Sequence, residues 1–246
     1  MRTLCIDVGG TGIKGNLYDS SGQALADRVR IETPRPATPE AVVGTILEIA
    51  KLLGAVAPFD RISCGFPGVV ENGVVHTAPN LDGEWAGYRL AADLELRTGK
   101  PTRVANDADT QGLAVVEGRG VEMVLTLGTG MGSGLYIDGR CVWNLELGHH
   151  VSKGDETYEQ RIADAVRKQI GNKKWRKRVK TVIAQLAPIF NYRKLYLGGG
   201  NASRLAADEL PANVVIVDNK AGMLGGLRLW DESSSRVASE PAKEQG

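Results

Sequence analysis

Asn106 and Asp107 follow directly on a short apolar run, Thr102 to Ala105. A carboxylate at the carboxyl end of a buried strand is where α/β proteins place ligand chemistry. Asp107 in that position can orient a hydroxyl and accept its proton, and Asn106 can fix a neighbouring hydroxyl. The same two residues also suit an Asx turn or a helix cap before Ala108 to Val116, with Asp109 as a rival for the cap.

Two glycine clusters offer a different chemistry. Asp7-Val8-Gly9-Gly10-Thr11-Gly12-Ile13-Lys14 joins two apolar runs and reads as a hairpin turn. The N–H groups of Gly9, Gly10 and Gly12 can cradle phosphate oxygens, with Thr11 adding a hydroxyl and Lys14 a charge. Asp7 offers a carboxylate to a magnesium ion, reached through water. The alternative is a plain type I′ turn, which Gly-Gly favours. The motif is neither a Walker A loop nor a dinucleotide fingerprint, because a strand follows it. Gly128, Thr129 and Gly130 form the partner loop, in a stretch richer in glycine than a turn requires. Gly10-Thr11-Gly12 with Leu17-Tyr18 matches Gly128-Thr129-Gly130 with Leu135-Tyr136 at one constant offset. A duplicated lobe would set two such hairpins facing each other across a cleft.

Two further segments carry polar chemistry. Glu146-Leu147-Gly148-His149 combines a carboxylate with an imidazole, a pair able to hold vicinal hydroxyls. Apart from His150 no His or Cys stands near it, so a zinc site is not indicated. Gly198, Gly199, Gly200 and Asn201 end a strand, and bare backbone there can lie against a nucleobase or ribose.

The elements that must position these residues can be read from periodicity. Strands are expected at Thr3 to Val8, Ile13 to Tyr18, Ile62 to Phe66 and Thr102 to Ala105 in the first half. Met123 to Leu127, Ser133 to Ile137, Lys194 to Leu197 and Val214 to Val217 repeat the pattern in the second. Thr38-Pro39 reads as the start of a helix, and Gly99 as the stop of another running from Leu90. Asn72-Gly73 marks a tight hairpin. Helices are expected over Thr157 to Ile170, Lys173 to Leu186 and Ala221 to Trp230.

Charge is balanced, with 30 Lys+Arg against 29 Asp+Glu in 246 residues. No apolar run reaches the ~20 residues that span a bilayer, so no membrane is expected, and no signal segment is apparent. Cys5, Cys64 and Cys141 are far apart in apolar runs and read as reduced core residues of a cytoplasmic protein.

Taken in order, these segments resemble the ROK family of sugar kinases, within the actin/hexokinase superfamily. The residues that carry the resemblance are Asp7 to Gly12, Gly65-Phe66-Pro67-Gly68, Asn106-Asp107-Ala108, Leu127 to Gly130, Glu146 to His149 and Gly198 to Gly200. It covers about residues 3–230 and is nearest in look to the polyphosphate glucokinase and gluco-mannokinase branch. The resemblance implies an α/β, two-lobed actin/hexokinase-like (ribonuclease H-like) fold with a cleft between lobes. Residues 1–108 would form the N-terminal lobe and 109–230 the C-terminal lobe, the last helix packing back on the first, with a disordered tail at 231–246.

The implied activity is phosphoryl transfer from polyphosphate, ATP or both to the 6-hydroxyl of glucose. Asp107 would be the base, Asn106, Glu146 and His149 would bind sugar hydroxyls, and Gly68 and Asn80 would line the pocket. A second sugar-binding carboxylate is implied some ten residues past the His; Glu159 is chosen over Glu156. Another hexose (mannose, fructose or an N-acetylhexosamine) and a non-catalytic sugar sensor are the alternatives. Mg2+ is implied as cofactor and a homodimer as the assembly. Many relatives carry a CxCGxxGC zinc loop after the His; nothing like it follows His149, so no structural zinc is expected. Repressor members carry an N-terminal helix-turn-helix, whereas here a strand begins at Thr3, so no nucleic-acid partner is expected. Arg167, Lys168, Lys173, Lys174, Arg176, Lys177, Arg178 and Lys180 crowd one short segment, which reads as a solvated helix face or as a basic track for polyphosphate.

Overall fold

A computed structural model describes residues 1–218 and 223–231. The tail expected at 231–246 lies outside the described residues apart from Asp231, as do positions 221 and 222 of the last expected helix. The chain divides into two compact units: Met1–Asn106 with the described residues from Gly226 onward, and Asp107–Gly225. The division falls between Asn106 and Asp107, slightly before the boundary read from the sequence.

The first unit contains β1 (Thr3–Val8), β2 (Ile13–Tyr18), β3 (Val29–Ile31), α1 (Pro39–Val56), β4 (Arg61–Phe66), β5 (Val70–Glu71), β6 (Val74–Val75), α2 (Leu90–Thr98) and β7 (Thr102–Asn106). Its main sheet has the order β3-β2-β1-β4-β7. β1 and β2 form an antiparallel hairpin, while β1, β4 and β7 run parallel. α1 starts where Thr38 accepts the Ala41 N–H and Pro39 fills the first helical position. Its buried stripe, Val42, Val43, Ile46, Ile49, Ala50 and Leu53, follows helical spacing. α2 ends at Gly99, whose φ of 67° makes it a left-handed cap. The turn between β5 and β6 has positive φ at Asn72 and Gly73, as a type I′ turn requires. Leu4, Ile6, Val8, Ile46, Phe66 and Trp85 are among the core residues.

The second unit contains α3 (Asp107–Leu113), β8 (Val121–Leu127), β9 (Met131–Ile137), β10 (Arg140–Val142), β11 (Val151–Lys153), β12 (Glu156–Thr157), α4 (Tyr158–Ile162), α5 (Asp164–Ile170), α6 (Asn172–Phe190), β13 (Lys194–Gly198) and β14 (Val214–Ile216). Its main sheet has the order β10-β9-β8-β13-β14. The pairing pattern repeats that of the first unit: an antiparallel hairpin β8–β9, then β8, β13 and β14 parallel. The helix expected over Thr157 to Ile170 is two helices. Thr157 and Gln160 form a capping box for α4, and Ala163 breaks the run with an extended ψ of 157°. α6 runs past Leu186 to Phe190 and closes on Asn191 in the left-handed conformation. Trp175 is fully buried in this unit's core and donates its indole N–H to the Ile162 carbonyl at 2.7 Å.

The final described helix, α7, is only Gly225–Arg228. Beyond it Trp230 packs within the first unit, its ring 4.8 Å from the Arg61 guanidinium and 4.5 Å from that of Arg103. Its indole N–H donates to Ser63 Oγ at 2.8 Å, and Ser63 Oγ donates to the Gly226 carbonyl. Among the described residues no helix is long and apolar enough to cross a membrane.

Candidate active site

In the first unit the register Val8↔Ile13 leaves Gly9 to Gly12 as a four-residue loop. Gly9 N–H donates to the Gly12 carbonyl at 3.1 Å. None of its three glycines has positive φ, so the loop is not a type I′ turn. Side chains hold its carbonyls instead: Thr33 donates to Gly9 O at 2.5 Å, Arg35 to Gly10 O at 2.8 Å and Arg30 to Thr11 O at 3.0 Å. The N–H groups of Gly10, Thr11 and Gly12 have no acceptor among the described residues. Consecutive N–H groups left in this way form an anion-binding concavity. Asn80 is exposed beside the loop, its Cβ 3.7 Å from where a Cβ on Gly10 would lie.

Lys14 Nζ and Asp7 Oδ2 pair at 2.9 Å, each side chain 35% exposed. An exposed pair of this kind is worth little, so both groups can exchange partners. A single carboxylate suits magnesium, which binds through one or two carboxylates and the phosphates of a substrate. No cluster of three or more His, Cys, Asp or Glu able to hold a metal occurs among the described residues.

Gly68 and Asn106 meet at the carboxyl ends of adjacent parallel strands, where Phe66 pairs with Asn106. The buried Asn106 amide donates to the Gly68 carbonyl at 3.1 Å. A side chain on Gly68 would overlap the Thr77 carbonyl, so the close approach of that loop requires glycine.

In the second unit Asp107 opens α3 and is partly exposed. Its Oδ1 accepts the Ala108 N–H at 2.7 Å. This bond to the N–H of the next residue orients the carboxylate. Asp109 faces inward instead. It is fully buried, its Oδ2 accepts the Asn144 N–H at 2.8 Å, and burial pushes its pKa up to about 7.

The register Leu127↔Met131 leaves Gly128, Thr129 and Gly130 as the second loop. Gly128 N–H donates to the Gly130 carbonyl at 3.1 Å, closing a loop one residue shorter than the first, and the Thr129 and Gly130 N–H groups have no acceptor among the described residues. Glu159, from α4, lies against this loop and accepts the Met131 N–H at 3.0 Å. Its carboxylate occupies the space a Gly130 side chain would take. Glu146 Oε2 and His149 Nε2 are 3.5 Å apart. Burial raises the Glu146 pKa; nearby His149 opposes that rise and Glu159 adds to it. Glu146, His149 and Glu159 thus lie together in this unit. Gly148 permits the grouping, since a Cβ there would fall 2.5 Å from the Met131 carbonyl.

The Gly198 to Asn201 turn borders the same loop. Gly199, at a φ of 84°, leaves no room for a side chain against the Leu127 backbone. Asn201 donates from Nδ2 to Asp164 at 3.0 Å and to the Gly128 carbonyl at 3.5 Å, while its Oδ1 accepts from Arg204 at 3.2 Å. Its amide ties the turn to the loop. Hydrogen bonds from Lys168 and Arg167 hold the Asp164 carboxyl well below the usual carboxylate range.

Ion pairs thin out the basic segment. Arg167 and Lys168 pair with Asp164, and Lys180 pairs with Glu209 at 2.6 Å. Lys173, Lys174 and Lys177 are exposed and make no ion pair among the described residues. The sequence reading missed Arg30, Thr33 and Arg35 as partners of the first loop. The alternation Arg28-Val29-Arg30-Ile31 was the available signal for the strand that carries Arg30.

The ROK family pattern matches residues 3–152. A polyphosphate glucokinase of Mycobacterium leprae (strain TN) is 37% identical over 244 residues, covering 91% of this chain and 73% of that one. One from Mycobacterium tuberculosis (strain ATCC 25618 / H37Rv) is 36% identical over 237 residues, covering 89% and 88%. The crystal structure of an inorganic polyphosphate/ATP-glucomannokinase from Arthrobacter sp. strain KM superposes with a TM-score of 0.84 at 32% identity, covering 92% of this chain and 97% of that one. A ROK family glucokinase from Streptomyces griseus shares the fold at a TM-score of 0.77. The match to the family pattern and the relatives aligned across most of their length agree: the chain belongs to the ROK family.

Proposed function

We propose that the chain is a hexose kinase that transfers a phosphoryl group from polyphosphate or ATP to the 6-hydroxyl of glucose. The observation that carries this reading is the repeated hairpin, each copy leaving consecutive N–H groups without an acceptor among the described residues. Two such loops suit a chain of phosphates. Asp107 accepts the proton of the hydroxyl as its oxygen bonds to phosphorus and the bond to the leaving phosphate breaks. Asn106, Glu146, His149 and Glu159 bind the remaining hydroxyls, with Gly68 and Asn80 lining the sugar. The 3.5 Å Glu146–His149 approach supports this, because each group can bond one of two neighbouring hydroxyls. Asp7 would hold magnesium, which when bound offsets the charge of the donor phosphates.

The names of the relatives support both donor and sugar: polyphosphate glucokinases and a polyphosphate/ATP-glucomannokinase. Mannose is the second sugar, favoured by that glucomannokinase. A sensor without chemistry would need neither Asp107 nor the two loops.

The donor is tested on α6. A long polyanion gains from exposed cations and releases counterions as it binds, whereas ATP is short and gains little. Replacing Lys173, Lys174 and Lys177 together with Gln raises the Michaelis constant for polyphosphate, more for longer chains, and leaves ATP kinetics near wild type. Lys180 is left alone because Glu209 already neutralises it. The polyphosphate effect shrinks as salt rises. A mutant that treats both donors alike makes the segment a solvated surface only.

A further inference from the structure

Three cations border the loop Gly9 to Gly12, and they differ in how far their charge is compensated. Lys14 pairs with Asp7 at 2.9 Å. Arg35 stands 3.4 Å from Asp82, a carboxylate that also accepts the Ala37 N–H at 2.8 Å. Arg30 has no ion-pair partner among the described residues. It is exposed on β3, and its Nη2 donates to the Thr11 carbonyl at 3.0 Å. The guanidinium lies across Gly12: a Cβ there would fall 2.6 Å from Nη2.

A guanidinium carries five N–H donors in a rigid fork that matches phosphate oxygens. The Thr11 carbonyl takes one of them and fixes the group beside the N–H groups of Gly10, Thr11 and Gly12. Glycine at position 12 leaves that place open. We propose that Arg30, assisted by Arg35, is a donor-binding residue that contacts a condensed phosphate chain seated on this loop. The inference rests on the reading of the hairpin as a phosphate loop. Its chemistry is common to inorganic polyphosphate and to the triphosphate of a nucleotide. Holding the guanidinium on a backbone carbonyl lowers the ordering cost of binding.

The test is isothermal titration of the full chain, with magnesium present, against tripolyphosphate, a non-hydrolysable ATP analogue and glucose in separate runs. Arg30→Gln weakens tripolyphosphate by about 10–100-fold, the range for charge-assisted hydrogen bonds. Arg35→Gln weakens it less, because Asp82 already shares that charge. Arg30→Lys falls between wild type and Arg30→Gln, keeping the charge without the fork. Glucose affinity stays within about twofold of wild type throughout, which also reports an intact fold, and the difference between Arg30→Gln and wild type shrinks with added salt. An equal loss with the ATP analogue assigns Arg30 to phosphates shared by both donors; a loss confined to tripolyphosphate assigns it to the inorganic donor. Wild-type binding of tripolyphosphate with Arg30→Gln binding it equally well overturns the proposal and leaves Arg30 as a brace for the loop. Wild type binding neither phosphate compound overturns the phosphate-loop reading itself.

Discussion

Asp107→Asn lowers kcat by about 10²–10⁴-fold, the usual range of a general base, while the hexose dissociation constant and the melting temperature stay near wild type. The choice of Asn follows from the structure. Asp107 Oδ1 accepts the Ala108 N–H at 2.7 Å, so Asp107→Ala would remove that contact together with the base. Asn keeps an acceptor for that N–H and lacks a carboxylate to take the proton. The base acts chiefly in the transition state, whereas several groups share the ground-state contacts to sugar. Steady-state kinetics with an equilibrium sugar titration separate the two effects. A variant keeping half the wild-type rate reduces Asp107 to an anchor for the start of α3.

Gly148→Ala raises the Michaelis constant for the hexose by about tenfold and costs about 1–3 kcal/mol of stability, as overpacking a close contact does. The new methyl would fall 2.5 Å from the Met131 carbonyl, a backbone atom of β9 whose residue pairs with Leu127 in the sheet. The carbonyl cannot move aside as a side chain could, so the turn bearing Glu146 and His149 must shift away from Glu159. Gly44→Ala on α1 is the control, since a Cβ there meets nothing within 4 Å. Denaturant unfolding and sugar kinetics measured on both variants decide the point. Unchanged sugar kinetics and stability in Gly148→Ala would show that the turn does not need the close approach.

The parts of this fold that are local in sequence were legible in it. Thr38-Pro39, Gly99 and Asn72-Gly73 are punctuation whose chemistry acts within one turn, and each does in the structure what its residue type dictates. The repeated Gly-Thr-Gly pointed to duplication, and the two sheets share one strand order. Features set by tertiary contact were not legible. The break at Ala163 interrupts a run whose helical spacing continues on both sides; just after it the Asp164 N–H donates to the distant Gly128 carbonyl at 3.0 Å. Gly-Gly at positions 9 and 10 suggests a type I′ turn, yet φ stays out of the left-handed region because side chains distant in sequence hold the carbonyls. Asn201 also ties its turn to Asp164, Gly128 and Arg204, contacts that its place after three glycines does not announce. Of the site residues, Glu159 was placed by resemblance alone; its bond to the Met131 N–H gives it a physical position beside the second loop.

Phosphorus NMR of a reaction mixture reads phosphoryl transfer to a hexose without a coupled assay. Wild-type chain with glucose, magnesium and either ATP or polyphosphate should produce a phosphate monoester signal split into a triplet by the protons on carbon 6. The signal should be absent without sugar and strongly reduced with Asp107→Asn. Absence of any sugar phosphate with both donors, with glucose and mannose each tried, would show that the chain is not a hexose kinase.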